Sequence, residues 1–118
     1  MKANRNSLYQ HVEFLTQLRP FRNYLNLDSL EKVCDYLKAE LEKYGLVPSE
    51  QKFIVRGHEY KNILATYNVD STRSQKRLIV GAHYDVCGDQ PGADDYASAV
   101  AGLLEIARMV AEAQPKVD

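Results

Sequence analysis

No long hydrophobic run occurs in this sequence, and that absence excludes a membrane-spanning helix. Such a helix needs roughly 20 consecutive apolar residues, which no stretch approaches. The first residues, Met-Lys-Ala-Asn-Arg-Asn, lead into a mixed polar and apolar segment, not into the uninterrupted apolar core of a signal peptide. We therefore expect no membrane partner, and a cytoplasmic location unless a leader was removed.

The chain also has no excess of charge of either sign. Fifteen Lys and Arg residues stand against sixteen Asp and Glu residues, and the net charge is -1. The basic residues are scattered along the chain, whereas nucleic-acid-binding domains gather them on one face. We therefore expect no nucleic-acid partner.

Cysteine is scarce, and the two that occur lack the C-x-x-C spacing of zinc and redox motifs. Cys34 and Cys87 are compatible with two free thiols or with one disulfide, and their spacing does not decide between these. Cys34 falls on the apolar side of a predicted helix, which favours a small core residue. Cys87 follows the candidate site described below, where it is either a bystander thiol or a third metal ligand.

Three helices are predicted from apolar residues at helical spacing. The first begins in a capping box at Ser7 and ends before Pro20. The second opens in the same way at Asp28 and closes at Gly45, which supplies the left-handed conformation that ends many helices. The third covers residues 97–113.

The third helix is unusually apolar: between its two apolar faces lies a narrow polar stripe that consists of Glu105, Arg108 and Glu112. A helix with so little polar surface is expected to be covered on two sides. We therefore expect the face that carries Ile106, Met109 and Val110 to be covered by self-association, by strand exchange or by the first helix in another position.

Three strands are predicted between the helices. Residues 53–55 and 62–68 form a hairpin around a turn at 57–59, and residues 70–76 form a mobile polar loop. Residues 78–82 read Leu-Ile-Val-Gly-Ala, a continuous apolar run typical of a strand covered on both faces. The pattern predicts an α/β fold over a single domain of residues 1–118: a three-layer α/β/α sandwich with a mixed sheet.

Two polar motifs lie at the ends of these elements. Residues 81–85 read Gly-Ala-His-Tyr-Asp and end the third predicted strand. His83 and Asp85 are two residues apart, so in an extended backbone their side chains point the same way. A carboxylate beside an imidazole fixes its tautomer and strengthens the other ring nitrogen as a metal donor.

The second motif, residues 91–95, reads Pro-Gly-Ala-Asp-Asp and precedes the third helix. Asp94 and Asp95 therefore stand at a helix N-terminus, where unpaired N–H groups and the helix dipole favour negative charge. Asp94 is also a natural N-cap, a role that needs no catalytic function. An imidazole and an acidic pair meeting at one end of a sheet predict half of a metal site.

Residues 78–110, with these two motifs in order, resemble the zinc metallopeptidases of family M28, chiefly its aminopeptidases. By position, the resemblance implies that His83 binds one zinc ion and that Asp95 bridges two zinc ions. It further implies that Asp85 pairs with the ring nitrogen of His83 that faces away from the metal. It also implies a zinc-peptidase-like (phosphorylase/hydrolase-like) fold, a non-proline cis peptide after Asp95, and release of N-terminal residues from a peptide substrate.

The sequence departs from the family pattern in two ways. Tyr96 and Ala99 replace a small polar residue and a glycine after the acidic pair. The family's further ligands and its general base, which include a Glu-Glu pair on a later strand, have no counterpart before Asp118. We therefore expect an N-terminal portion of a peptidase domain that binds zinc weakly at best and is inactive alone.

Three alternatives stay open. A glutaminyl-cyclase-like relative uses one zinc ion, and His83 disfavours it because this residue resembles the extra ligand of two-metal members. A carboxypeptidase-type relative is a second alternative. The third is a non-catalytic dimerisation or binding module.

Overall fold

A computed structural model of the chain describes residues 2–67 and 77–115. The elements, in chain order, are α1 (Arg5–Gln17), α2 (Leu27–Lys43), β1 (Ser49–Val55), β2 (His58–Leu64), a π-helical turn (Ala93–Ala97) and α3 (Ser98–Ala113). The predicted loop at 70–76 lies outside the described residues. In the part that is described, no helix is both long enough and apolar enough to cross a membrane.

The predicted start of α1 is wrong. Asn4 is the N-cap, and its side-chain oxygen accepts a hydrogen bond from the Ser7 N–H at 3.1 Å. Asn is as good an N-cap as Ser, so the helix begins a few residues earlier than the Ser7 pattern indicates. In α2 the helix starts after Asn26 instead of at Asp28, and the predicted closure at Gly45 is confirmed by its φ of +83°.

The predicted hairpin is confirmed, with a different turn. β1 and β2 pair antiparallel, and Val55 lies opposite His58. The turn consists of Arg56 and Gly57, which both have positive φ, 51° and 79°. Two successive positive φ angles give the twist that matches a two-residue hairpin, so both strands differ from the predicted limits.

Ion pairs connect the hairpin to α2. Lys38 Nζ lies 2.6 Å from Glu50 Oε1, and Lys61 Nζ lies 2.9 Å from Glu31 Oε1. In a two-stranded sheet that exposes most of its side chains, such links help to hold the strands against the helix.

The third predicted strand is not formed in the described part of the chain. Residues 77–86 have no ladder partner, since the sheet consists of β1 and β2 only, and Leu78 and Ile79 are 92% and 87% exposed. A continuous apolar run indicates that a segment packs on two faces, but it does not supply the neighbouring strand. The fold mixes helices and strands as predicted, and the three-layer sandwich is not confirmed, because only two strands are formed among the described residues.

The core lies between the three helices. It consists of buried apolar residues from α1, α2, the end of the π-helical turn and the first half of α3: Leu15, Val33, Leu37, Leu41, Ala97, Val100 and Leu104. Ala97 and Val100 follow directly after the acidic motif, so core packing anchors that motif at its C-terminal side.

The polar stripe of α3 differs from the prediction. Glu105 is buried, and its Oε2 accepts hydrogen bonds from the Asn4 N–H and from Arg108 Nη2, both at 2.8 Å. This carboxylate ties the start of α1 to α3. On the second apolar face Ile106 is 41% exposed, and coverage of this face by self-association stays a prediction.

Candidate metal centre

The structure brings His83, Asp85 and Asp95 together. His83 Nδ1 lies 3.2 Å from Asp85 Oδ1, and His83 Nε2 lies 3.1 Å from Asp95 Oδ1. The imidazole therefore lies between two carboxylates, one from each motif. The side chains of His83 and Asp95 are 51% and 72% exposed, so the group is accessible to solvent and to a ligand.

This donor set fits a zinc ion at the Nε2 side of the ring. A neutral imidazole has one N–H, so it can donate to only one of the two carboxylates and directs a lone pair at the other. A cation between Nε2 and Asp95 would remove that repulsion. Two ligands of a tetrahedral zinc ion lie about 3.3 Å apart when each is about 2.0–2.2 Å from the metal, close to the observed 3.1 Å.

The alternating direction of side chains at 83–86 explains why His83 and Asp85 share a side. Tyr84 points the other way, and its hydroxyl donates to the Lys61 carbonyl oxygen at 2.5 Å. Cys34 Sγ donates to the same hydroxyl at 3.3 Å, and burial raises the pKa of both groups. Tyr84 is thereby anchored to β2 and α2, which leaves its two polar neighbours on the open side.

The acidic motif reaches the histidine through a tight turn at Gly92, where φ is +62°. The Ala97 N–H donates to the Gly92 carbonyl oxygen at 3.0 Å and closes the π-helical turn. Asp95 has non-helical backbone angles within that turn, and the Asp95–Tyr96 peptide is cis, as the resemblance implied. Asp94 is not an N-cap: Gly92 precedes the turn, and α3 has no side-chain cap.

Buried Arg22 holds the two motifs together. Its guanidinium donates hydrogen bonds to the carbonyl oxygens of Tyr84, Pro91 and Gly92 at 2.8, 2.5 and 3.0 Å. The Val86 N–H returns a hydrogen bond to the Arg22 carbonyl oxygen at 3.1 Å. Burial lowers the pKa of Arg22, and the charge of Asp85 opposes that shift.

Known proteins are similar to this chain in sequence and in fold. A family model described as Peptidase family M28 matches residues 62–118, a range that contains both motifs. The Escherichia coli (strain K12) protein described as "Uncharacterized protein YfbL" is 38% identical over 122 residues, which cover 97% of this chain and 37% of that protein. The resemblance to peptidase family M28 is thus confirmed over residues 62–118.

A solved structure shows the same fold as this chain. The crystal structure of Tannerella forsythia glutaminyl cyclase aligns with a TM-score of 0.67 and 23% identity, over 99% of this chain and 45% of that one. At this identity the likeness concerns the fold alone. The chain thus spans less than half the length of each of these two proteins.

Tyr96, one of the departures from the family pattern, lies against the candidate ligand. Its ring stacks on the His83 ring with centroids 4.6 Å apart and an interplanar angle of 24°. The imidazole therefore has a carboxylate near each ring nitrogen and an aromatic ring against one face. This contact restricts ring rotation and narrows the approach to Nε2.

Both cysteines are free thiols; Cys34 is buried, as predicted for a core residue, and Cys87 is exposed. Over the ranges 2–67 and 77–115, no group of three or more His, Cys, Asp or Glu side chains is placed to hold a metal ion. Cys87 therefore does not join His83 and Asp95 as a third ligand.

Sequence reasoning missed Arg22 and its neighbour Asn23. Asn23 is buried, and its Nδ2 donates to the Gly88 carbonyl oxygen at 3.0 Å and to Asp89 Oδ1 at 3.2 Å. Both side chains donate hydrogen bonds to residues within 84–92, which lie more than 60 residues away in the chain. The only signal in the sequence was a pair of polar residues in the short connection between two helices. Ordinary surface loops carry such pairs just as often, so the signal does not indicate buried side chains.

Proposed function

We propose that this chain contributes part of the metal site of a zinc-dependent aminopeptidase. The observation that supports the proposal is the imidazole of His83 held between two carboxylates from separate motifs, with Nε2 3.1 Å from Asp95 Oδ1. In this proposal His83 binds one zinc ion, Asp95 bridges two zinc ions, and Asp85 orients the histidine.

Each residue has a distinct task. Asp85 accepts the Nδ1 proton of His83, so that the Nε2 lone pair is directed toward the metal. Asp95 supplies negative charge at the same point, and its exposed carboxylate has a second oxygen for the second ion. Zinc, when bound, polarises the scissile carbonyl group and lowers the pKa of a water molecule toward neutrality.

The described residues provide two of the three or four protein ligands that hold a zinc ion firmly. We therefore expect residues 1–118 on their own to bind zinc weakly and not to hydrolyse peptides. Peptide hydrolysis by the full gene product is the activity that we propose.

The metal site is tested by titrating the chain with Zn²⁺ while the histidine ring signals are followed by NMR. We expect the His83 ring to respond, and His83→Ala or Asp95→Asn to weaken zinc binding at least 10-fold. His58→Ala and Asp94→Asn are matched controls, because both residues are exposed and Asp94 is adjacent in sequence. Equal affinity for all five proteins would contradict the proposal.

The reaction is tested on the full gene product with a panel of N-terminally unblocked, blocked and glutamine-initiated peptides. An aminopeptidase releases the first residue of unblocked peptides only and loses activity in His83→Ala. Cyclisation of N-terminal glutamine with one bound zinc ion would favour a glutaminyl-cyclase-like enzyme, and release from the C-terminus a carboxypeptidase. Zinc binding with no turnover of any peptide would favour a non-catalytic module.

A further inference from the structure

Arg22 has unusual surroundings for a charged side chain. It is 1% exposed, and its guanidinium donates to carbonyl oxygens in three separate segments. Nη1 reaches Leu15 at 3.1 Å and Pro91 at 2.5 Å, Nε reaches Tyr84 at 2.8 Å, and Nη2 reaches Gly92 at 3.0 Å. Burial of a charge is unfavourable unless hydrogen bonds compensate for it, and here backbone oxygens supply that compensation.

The positions of these oxygens relate Arg22 to the candidate ligands. Tyr84 lies between His83 and Asp85 in the chain, and Gly92 begins the turn that carries Asp95. The backbone of Arg22 also accepts from the Val86 N–H at 3.1 Å. A single planar group thus joins the segment that carries the imidazole to the segment that carries the carboxylate.

We propose that Arg22 is a positioning residue that sets the distance and orientation between His83 and Asp95. Its relevance to zinc rests on the proposed function, whereas its effect on the His83 ring does not. The guanidinium is required because its donors form a rigid fork that spans several acceptors, whereas the ammonium group of a lysine is a single point.

The test compares Arg22→Lys with Arg19→Lys in the full gene product. Arg19 is an exposed arginine of the same connection, and its side chain donates to the local carbonyl oxygens of Thr16 and Leu18. Thermal unfolding first defines a temperature at which every protein is folded. At that temperature the ¹⁵N shifts of the His83 ring report its tautomer without metal, and a Zn²⁺ titration gives the affinity.

We expect Arg22→Lys, while folded, to show a mixture of His83 tautomers and at least 10-fold weaker zinc binding. Arg19→Lys should match the unaltered protein in both readouts. A purely structural role would lower the unfolding temperature of Arg22→Lys and leave the tautomer and the zinc affinity within 2-fold, which would overturn the proposal.

Failure of the proposed function gives a different result. If the unaltered protein binds no zinc at His83, that function is wrong, and the ring tautomer still decides the role of Arg22. If Arg22→Lys does not fold, the rate of proton exchange at Arg22 Nε in the unaltered protein tests whether Arg22 positions the two ligands. Slow exchange that Zn²⁺ slows at least 3-fold further supports that role. Exchange that is fast, or that Zn²⁺ leaves unchanged, overturns it.

Discussion

The Gly92→Ala substitution tests how tightly the acidic motif is built. Gly92 has a φ of +62°, and a Cβ atom placed there would overlap Val86 Cγ1 and lie 2.7 Å from the Asp95 carbonyl oxygen and 3.1 Å from Arg22 Nη2. The first two contacts are shorter than real Cβ atoms tolerate, so the turn must shift. This is the point at which Arg22, Val86 and the turn to Asp95 meet.

The expected loss has two parts. A left-handed backbone disfavours alanine by about 1–2 kcal/mol relative to glycine, and overpacking at a crowded site costs about 1–3 kcal/mol. We therefore expect Gly92→Ala to lower the free energy of unfolding by about 2–5 kcal/mol, measured by urea unfolding monitored by circular dichroism. Zinc affinity should fall as well, because the shift moves Asp95 away from His83.

Two other glycines separate these contributions. Gly88 also has a positive φ, +74°, and a Cβ atom there meets nothing within 4 Å, so Gly88→Ala should cost only the backbone part, about 1–2 kcal/mol. Gly102 lies within α3 with open space around it, and Gly102→Ala should stabilise the chain by about 0.5–1 kcal/mol. A Gly92→Ala protein no less stable than Gly88→Ala would refute the proposed crowding.

Three further predictions concern stability. Leu104→Ala removes a buried core side chain and should cost about 2–5 kcal/mol in urea unfolding, clearly more than Ile106→Ala on the exposed face; equal losses would contradict the assigned core. Burial lowers the pKa of His11 from 6.5, so the unfolded chain takes up this proton first, and stability should fall as pH falls below 6.5. His11→Leu should flatten that dependence and His58→Leu, at an exposed site, should not; a profile unchanged by His11→Leu would contradict it. Glu105→Gln should lose about 1–3 kcal/mol by weakening its hydrogen bonds with the Asn4 N–H and Arg108, and a loss below about 0.5 kcal/mol would show that the buried charge is not needed.

Where local chemistry decides the outcome, sequence reasoning succeeded. The periodic apolar residues of α2 and α3 gave two of the three helices within one or two residues, and Gly45 marked an end because it can adopt positive φ. The spacing of His83 and Asp85 placed both side chains on one side, since direction alternates along an extended chain. The two motifs and their order also indicated the family whose model matches residues 62–118.

Reasoning from local pattern failed where distant parts of the chain determine the result. A strand requires a neighbour, so the apolar run 78–82 did not by itself define one. The burial of Glu105 depends on the Asn4 N–H, which lies 101 residues away in sequence. Helical periodicity placed this side chain on a polar stripe because it carries no information about what packs there.

What the sequence alone determined was which groups this protein has for binding a metal and which of them share a local backbone. What only the tertiary structure decided was the 3.1 Å separation between His83 Nε2 and Asp95 Oδ1, and the role of Arg22 in connecting their segments. The physical reason is that hydrogen bonds are directional. Those from the buried Arg22 guanidinium to Tyr84, Pro91 and Gly92 exist only after α1, residues 84–92 and α3 have packed together.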